Sequence, residues 1–149
     1  MKDRLIPVTN PHLTLEAQLC FPVYALSRLI TRAYQPLLEG LGLTYPQYLV
    51  LLLLWEHHAL TVKELGEKML LDSGTLTPLL KRMEQREWLS RRRDPRDERS
   101  VIIELQPAGR ALQTRAQEVP TQMAALLRLS PAEIDTLRLQ LRDLIKVLA

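Results

Sequence analysis

The chain has 149 residues, 46% of them hydrophobic and 25% charged, which excludes a disordered polymer and fits one compact globular domain with a real core. Five glycines, 5% aromatics and abundant leucine favour a mainly helical protein over a β-sandwich. A formal charge of +3 is too small to establish a polyanionic partner by itself, so the placement of charge matters more than its total.

Residues 1 to 13 form a polar arm with Pro7 and Pro11 and lack the apolar core of a signal peptide. Thr14 is positioned to cap a long helix running to about Glu39, which Gly40 and Gly42 end, and Pro22 is expected to bend that helix or loosen its first turns. Thr44 and Gln47 form a capping box with Pro46 in the first turn, opening an almost wholly apolar helix through Leu54 that should be buried on all sides. Its run from Tyr48 to Trp55 is too short to cross a bilayer. His57 and His58 follow at its end, where adjacent side chains diverge and no further ligand offers itself, so no metal is assigned to them.

Thr61 and Glu64 make a second capping box, starting a short helix to about Met69. After the turn Leu70 to Asp72 another helix begins, capped by Asp72 or Ser73, in which Leu76, Leu79, Leu80 and Met83 form one buried stripe opposite Thr75, Pro78 and Arg82. Short helix, tight turn and amphipathic helix in this order describe a helix-turn-helix. Trp88 and Leu89 start an extended run, Arg91 to Glu98 is a charged turn, and Ser100 to Leu105 is a β-branched strand, giving a hairpin with a basic tip. Pro107 starts a helix that Pro120 should bend, and Ser130 to Glu133 opens the last helix, to about Leu148.

Between Lys81 and Arg99 there are eight Lys or Arg against five acids, so this segment carries as much excess charge as the whole molecule. A solvated charged hairpin beside an ordinary helix pair would share that composition. A basic hairpin directly after the second helix, however, is the arrangement that puts a helix in the major groove and arginines in an adjacent minor groove or on phosphates. DNA binding is therefore the expected output. Cys20, the only cysteine, excludes an internal disulfide and a thiolate zinc site, and argues for a reducing, cytoplasmic compartment. By residue chemistry alone it reads as a small buried hydrophobe, since no Lys or Arg lies within one helical turn to favour its thiolate.

Several stretches carry a family resemblance. Asp97-Glu98-Arg99-Ser100-Val101 resembles the Asp-x-Arg wing signature of the MarR family of dimeric winged helix-turn-helix regulators. Gln18 to Phe21, Leu43 to Tyr48, Leu52 to Glu56 and Leu71 to Gln85 resemble the one-cysteine, organic-hydroperoxide-sensing (OhrR-like) group of that family. The resemblance implies that Arg99 enters the minor groove while Asp97 orients it, and that Asp72, Ser73, Gly74, Thr75, Thr77 and Arg82 face the major groove. Lys81, Arg91, Arg92 and Arg93 are placed against phosphates, since flexible cations position a protein without reading sequence, and Arg96 is counted with the DNA-binding wing. It also implies that Cys20 is a redox sensor whose thiolate is held by the hydroxyls of Tyr24, Tyr34 and Tyr45. Tyr34 lies 14 residues beyond Cys20, about 21 Å along one helix, so with Tyr45 it must serve the thiol of another subunit. Glu87 stands where the family commonly has Gly, and a left-handed cap there costs roughly 1 kcal/mol.

The expected protein is thus mainly α with a small β-hairpin, a single MarR-like winged helix-turn-helix domain over 1–149. Residues 1–40 and 106–149 would form a homodimer and residues 44–105 the DNA-binding lobe. Its expected partners are double-stranded DNA with a pseudo-palindromic operator, an organic hydroperoxide as inducer and a small thiol after oxidation, with no cofactor, metal or membrane. A repressor released by a small aromatic ligand, with Cys20 structural, is the first alternative; a thiol peroxidase is the second.

Overall fold

The computed structural model describes residues 10–149; Pro7 and most of the expected polar arm lie outside the described residues. The described residues up to Tyr34 form one compact unit and Gln35–Ala149 a second.

The first long helix does not begin at Thr14. Two 3-10 turns, Pro11–Leu13 and Leu15–Ala17, precede it, and Thr14 donates its hydroxyl to the Pro11 carbonyl (3.3 Å) without capping anything. Helix α1 covers Cys20–Glu39. Pro22 explains the late start. As third residue of α1 it sits in the first turn, where no backbone N–H finds an intrahelical partner, so its missing donor costs nothing; six residues further in it would. Pro22 therefore marks the start of the helix rather than bending it. At the other end Gly42 adopts φ +69, a left-handed conformation natural to glycine.

Helix α2 (Tyr45–His57) opens with the Gln47 side chain accepting the Thr44 N–H at 2.9 Å. Tyr48, Val50, Leu51 and Leu54 are buried, but Leu52 is 39% exposed, so α2 is not covered on all sides as expected. Its Trp55 indole donates to the Gly109 carbonyl at 3.0 Å. A short strand that the sequence pattern did not announce, β1 (Ala59–Thr61), follows. Helix α3 (Val62–Met69) starts with Thr61 and Glu64 capping each other reciprocally.

The turn into α4 (Ser73–Gln85) is tight. A Cβ on Gly66 would lie 2.8 Å from the Leu71 carbonyl oxygen, so only glycine lets the two helices approach here. Asp72, not Ser73, is the cap. Leu76, Leu79, Leu80 and Met83 are buried as the spacing predicts, and Pro78 is tolerated on the exposed side. At the end of α4 the Glu87 N–H bonds the Glu84 carbonyl (2.8 Å) and the Trp88 N–H bonds that of Met83 (3.2 Å). This is a Schellman motif, and Glu87 takes the expected left-handed conformation at φ +58.

Strands β2 (Leu89–Asp94) and β3 (Asp97–Leu105) pair antiparallel with β1 on the far side, in the order β1-β3-β2. The expected charged turn shrinks to Pro95 and Arg96, because Arg91 to Asp94 and Asp97 to Arg99 are themselves strand residues, with Asp94 paired to Asp97 at an irregular tip. Helices α5 (Pro107–Arg115) and α6 (Val119–Leu127) are separate, so Pro120 marks a break and again stands in a first turn. Helix α7 (Pro131–Leu148) begins at the Ser130–Glu133 box and, among its residues, none is buried. The core lies among α2, α3, α4, the sheet and the inner faces of α5 and α6.

Candidate nucleic-acid interface and thiol site

The exposed face of α4 is built around its cap. Asp72 accepts the Thr75 N–H at 2.8 Å and the Thr75 hydroxyl at 3.0 Å, bonds that hold its carboxyl below the usual range, the backbone bond contributing most. The Thr77 hydroxyl donates to the Ser73 carbonyl at 2.7 Å. Ser73, Gly74, Thr75, Lys81 and Arg82 are exposed on one side, small residues first and cations later. A helix end lined by small polar residues can enter a groove without steric obstruction.

In the wing, the Asp97 carboxylate accepts the backbone N–H of Arg99 at 3.1 Å, so Asp97 shapes the chain that carries the guanidinium rather than gripping it. Arg96 and Arg99 are exposed, and the Arg96 N–H is tied to Asp94 at 2.9 Å. The arginine triplet is differently placed from what its composition implies. Arg91 gives both its backbone N–H (3.0 Å) and its Nε (2.8 Å) to Glu84, Arg92 meets Glu104 at 3.1 Å across the hairpin, and Arg93 donates to the Glu98 carbonyl at 2.7 Å. Of the three, only Arg91 is held in a partly buried two-point contact, while Arg92 and Arg93 are exposed. The residue that sequence reasoning missed is Glu84, whose partner is seven positions away across a chain reversal.

Cys20 is exposed and opens α1. Tyr24, one turn on and on the same face, accepts a long hydrogen bond from Arg28 (3.5 Å), whose guanidinium carbon stands 5.6 Å from the ring centre. Tyr34 lies on the same continuous helix, three and a half to four turns further, and Tyr45 opens α2. Burial pushes the Tyr45 hydroxyl up from its ordinary range, and does the same to Tyr48, to which Tyr45 adds a smaller Coulombic push. Both stay neutral donors at physiological pH. Among the described residues no group of three or more His, Cys, Asp or Glu could hold a metal ion, and no helix is long and apolar enough to cross a membrane.

Residues 43–101, from just before α2 into β3, match the MarR family model. Over 137 residues the chain is 50% identical to the organic hydroperoxide resistance transcriptional regulator of Bacillus subtilis, covering 92% of this chain and 93% of that protein. The chain belongs to the MarR family. Its similarity to solved members extends to three dimensions. Reduced AbfR bound to DNA, a Staphylococcus epidermidis protein, is 39% identical with a TM-score of 0.75, over 90% of this chain and 94% of that one. Overoxidised AbfR bound to DNA is 38% identical with a TM-score of 0.74, over 91% and 95%. This MarR-family chain is accordingly a DNA-binding transcriptional regulator with a winged helix-turn-helix, and not an enzyme.

Proposed function

We propose that this protein is a homodimeric repressor that leaves its operator when an organic hydroperoxide oxidises Cys20. The observation that carries the reading is an exposed, solitary cysteine at the start of a helix in a DNA-binding regulator of this family. The N-terminal end of a helix suits the charged oxygen of an oxidised sulfur, because its backbone N–H groups lack partners. Tyr24 on the same face, and Tyr34 and Tyr45 from the second subunit, would hold the thiolate. Phe21, Val23 and Leu26, all large, apolar and exposed around it, favour a lipophilic peroxide over hydrogen peroxide.

In the proposed step the thiolate attacks the distal peroxide oxygen, the O–O bond breaks, and the alcohol departs after taking a proton. Sulfur loses two electrons, the peroxide gains two, and Cys20 becomes a sulfenic acid. Lacking a second cysteine, it then condenses with a small thiol, releasing water and forming a mixed disulfide. That AbfR has been captured on DNA in its overoxidised form supports the bulkier mixed disulfide, rather than over-oxidation, as the releasing state here.

Dimerisation is supported by α7. Ile134, Leu137, Leu141, Leu144 and Leu148 recur at alternating spacings of three and four, a coiled-coil seam, and Leu148 is 86% exposed. A two-fold dimer would place Ser73, Gly74, Thr75, Thr77, Lys81 and Arg82 of each subunit in successive major grooves of a pseudo-palindrome, with Arg96 and Arg99 at the flanks.

One observation favours the small-ligand alternative: an open groove of about 1120 Å³ lined by Val62, Leu70, Leu71, Arg99 and the end of α7 at Ile145 and Leu148. Replacing Cys20 with Ser decides between them. The variant should bind a duplex selected by the wild-type protein from a randomised library, and should fail to release it with cumene hydroperoxide in the presence of a small thiol. Release by the variant would remove Cys20 as the sensor.

A further inference from the structure

We infer that Glu84 is a positioning residue for the wing, acting through Arg91, and that Arg91 is a brace and not a phosphate ligand. The inference rests on the DNA-binding reading of α4 and the wing.

The geometry begins with the edge of the sheet. Since β3 is central, β2 is an edge strand, with alternate backbone N–H groups directed away from its partner. Arg91 pairs with Ile103, and the N–H groups of Leu105 and Ile103 lie on the β1 side of the register, the first bonding the His58 carbonyl at 2.9 Å. Arg91 therefore turns its own N–H outward, and Glu84 takes it. One carboxylate oxygen accepts this N–H at 3.0 Å and the other accepts the Arg91 Nε at 2.8 Å, both partly buried. The last turn of the recognition helix is thereby fastened at two points to the root of the wing.

The consequence is leverage. From Arg91 the strand runs three residues to Asp94, about 10 Å, so a loosening of some 15° at the root moves the tip by about 3 Å. Arg99 reads a groove one step from the one α4 occupies, and a displacement of that size takes a hydrogen-bonding guanidinium out of reach. Remaining wing contacts, Arg92 with Glu104 and Arg93 with the Glu98 carbonyl, lie within the hairpin and do not tie it to α4.

The test turns on a sign. Deleting a carboxylate near DNA, and freeing an arginine at the same time, should by electrostatics alone tighten binding and steepen its salt dependence. The positioning role requires the opposite. Against a duplex selected in vitro by the wild-type protein, Glu84→Ala should bind about tenfold more weakly, while Glu84→Gln, which keeps an acceptor for the Arg91 N–H, should recover most of that loss. Arg99→Ala should also weaken binding about tenfold and lower the salt slope by about one. The double variant should be no weaker than Arg99→Ala, since a misplaced wing has nothing left to lose. Arg91→Ala, which leaves the backbone bond to Glu84, should lose about threefold with an unchanged slope, and it carries the test if Glu84→Ala does not fold. Tighter or unchanged binding by Glu84→Ala, additive losses in the double variant, or a slope lowered by about one in Arg91→Ala would overturn the inference. Unchanged affinity in Arg99→Ala would instead overturn the wing's role itself.

Discussion

The DNA-binding lobe and helix α7 have similar apolar content and opposite fates. In the lobe the leucines of α2, α3 and α4 close on one another and on β3, with Leu51, Leu54, Leu65, Leu76 and Ile103 fully buried. In α7 an equally regular stripe leaves none of its residues fully buried, and Leu137, Leu144 and Leu148 stay exposed. Periodicity specifies that a face is apolar; whether that face is covered depends on what the chain can bring to it. The lobe completes its own core, whereas the stripe of α7 stays open, as the proposed dimer requires.

The largest test of that difference is in the core of the lobe. Leu80→Ala removes a side chain only 1% exposed and should destabilise the protein by about 2–5 kcal/mol, read from denaturant unfolding. The matching change in α7, Leu144→Asp, should weaken self-association at least tenfold, as seen by sedimentation, because a carboxylate would be buried unpaired in the seam. If the Leu144 variant instead unfolded at low concentration like the Leu80 variant, α7 would belong to the core of its own chain. A smaller effect of opposite sign is expected at the end of α4. Glu87→Gly relieves a left-handed residue that carries a Cβ, and should raise stability by about 1 kcal/mol without altering the Schellman bonds.

The smallest effect is a pH dependence shared by both regions. Glu64 is held below the usual carboxylate range chiefly by the Thr61 N–H, and Glu133 by the Ser130 hydroxyl and then its N–H. A carboxyl whose native pKa is depressed stabilises the fold above its unfolded value, and that contribution disappears as pH falls through the native one. Helicity should therefore decline slightly on acidification, and Glu64→Gln with Glu133→Gln should flatten the decline. A profile unchanged by the two substitutions would show that the boxes do not contribute.

Much of the fold was legible because its signals are local. Capping boxes at Thr44, Thr61 and Ser130 and the stripe from Leu76 to Met83 each depend on residues within a few positions of one another, while the left-handed position of Glu87 was implied by the family resemblance. The exceptions are instructive. Thr14 has the chemistry of a cap, yet the proline eight residues later decides where α1 can begin. The three residues of β1 become a strand only because β3 lies alongside. Arg91 to Arg93 have the composition of a phosphate-binding run, but their partners Glu84, Glu104 and the Glu98 carbonyl face them only once the chain has reversed.

The sequence by itself determined the helical class, the helix-turn-helix with its wing, and the single thiol, since composition, periodicity and turn chemistry are properties of neighbouring residues. Tertiary structure alone decided which cations meet acceptors of the protein itself, as Arg91 meets Glu84 and Arg92 meets Glu104. It also decided which apolar faces are satisfied within one chain. Both depend on distances between residues far apart in sequence, and a hydrogen bond or a buried contact is lost within an ångström or two of misplacement.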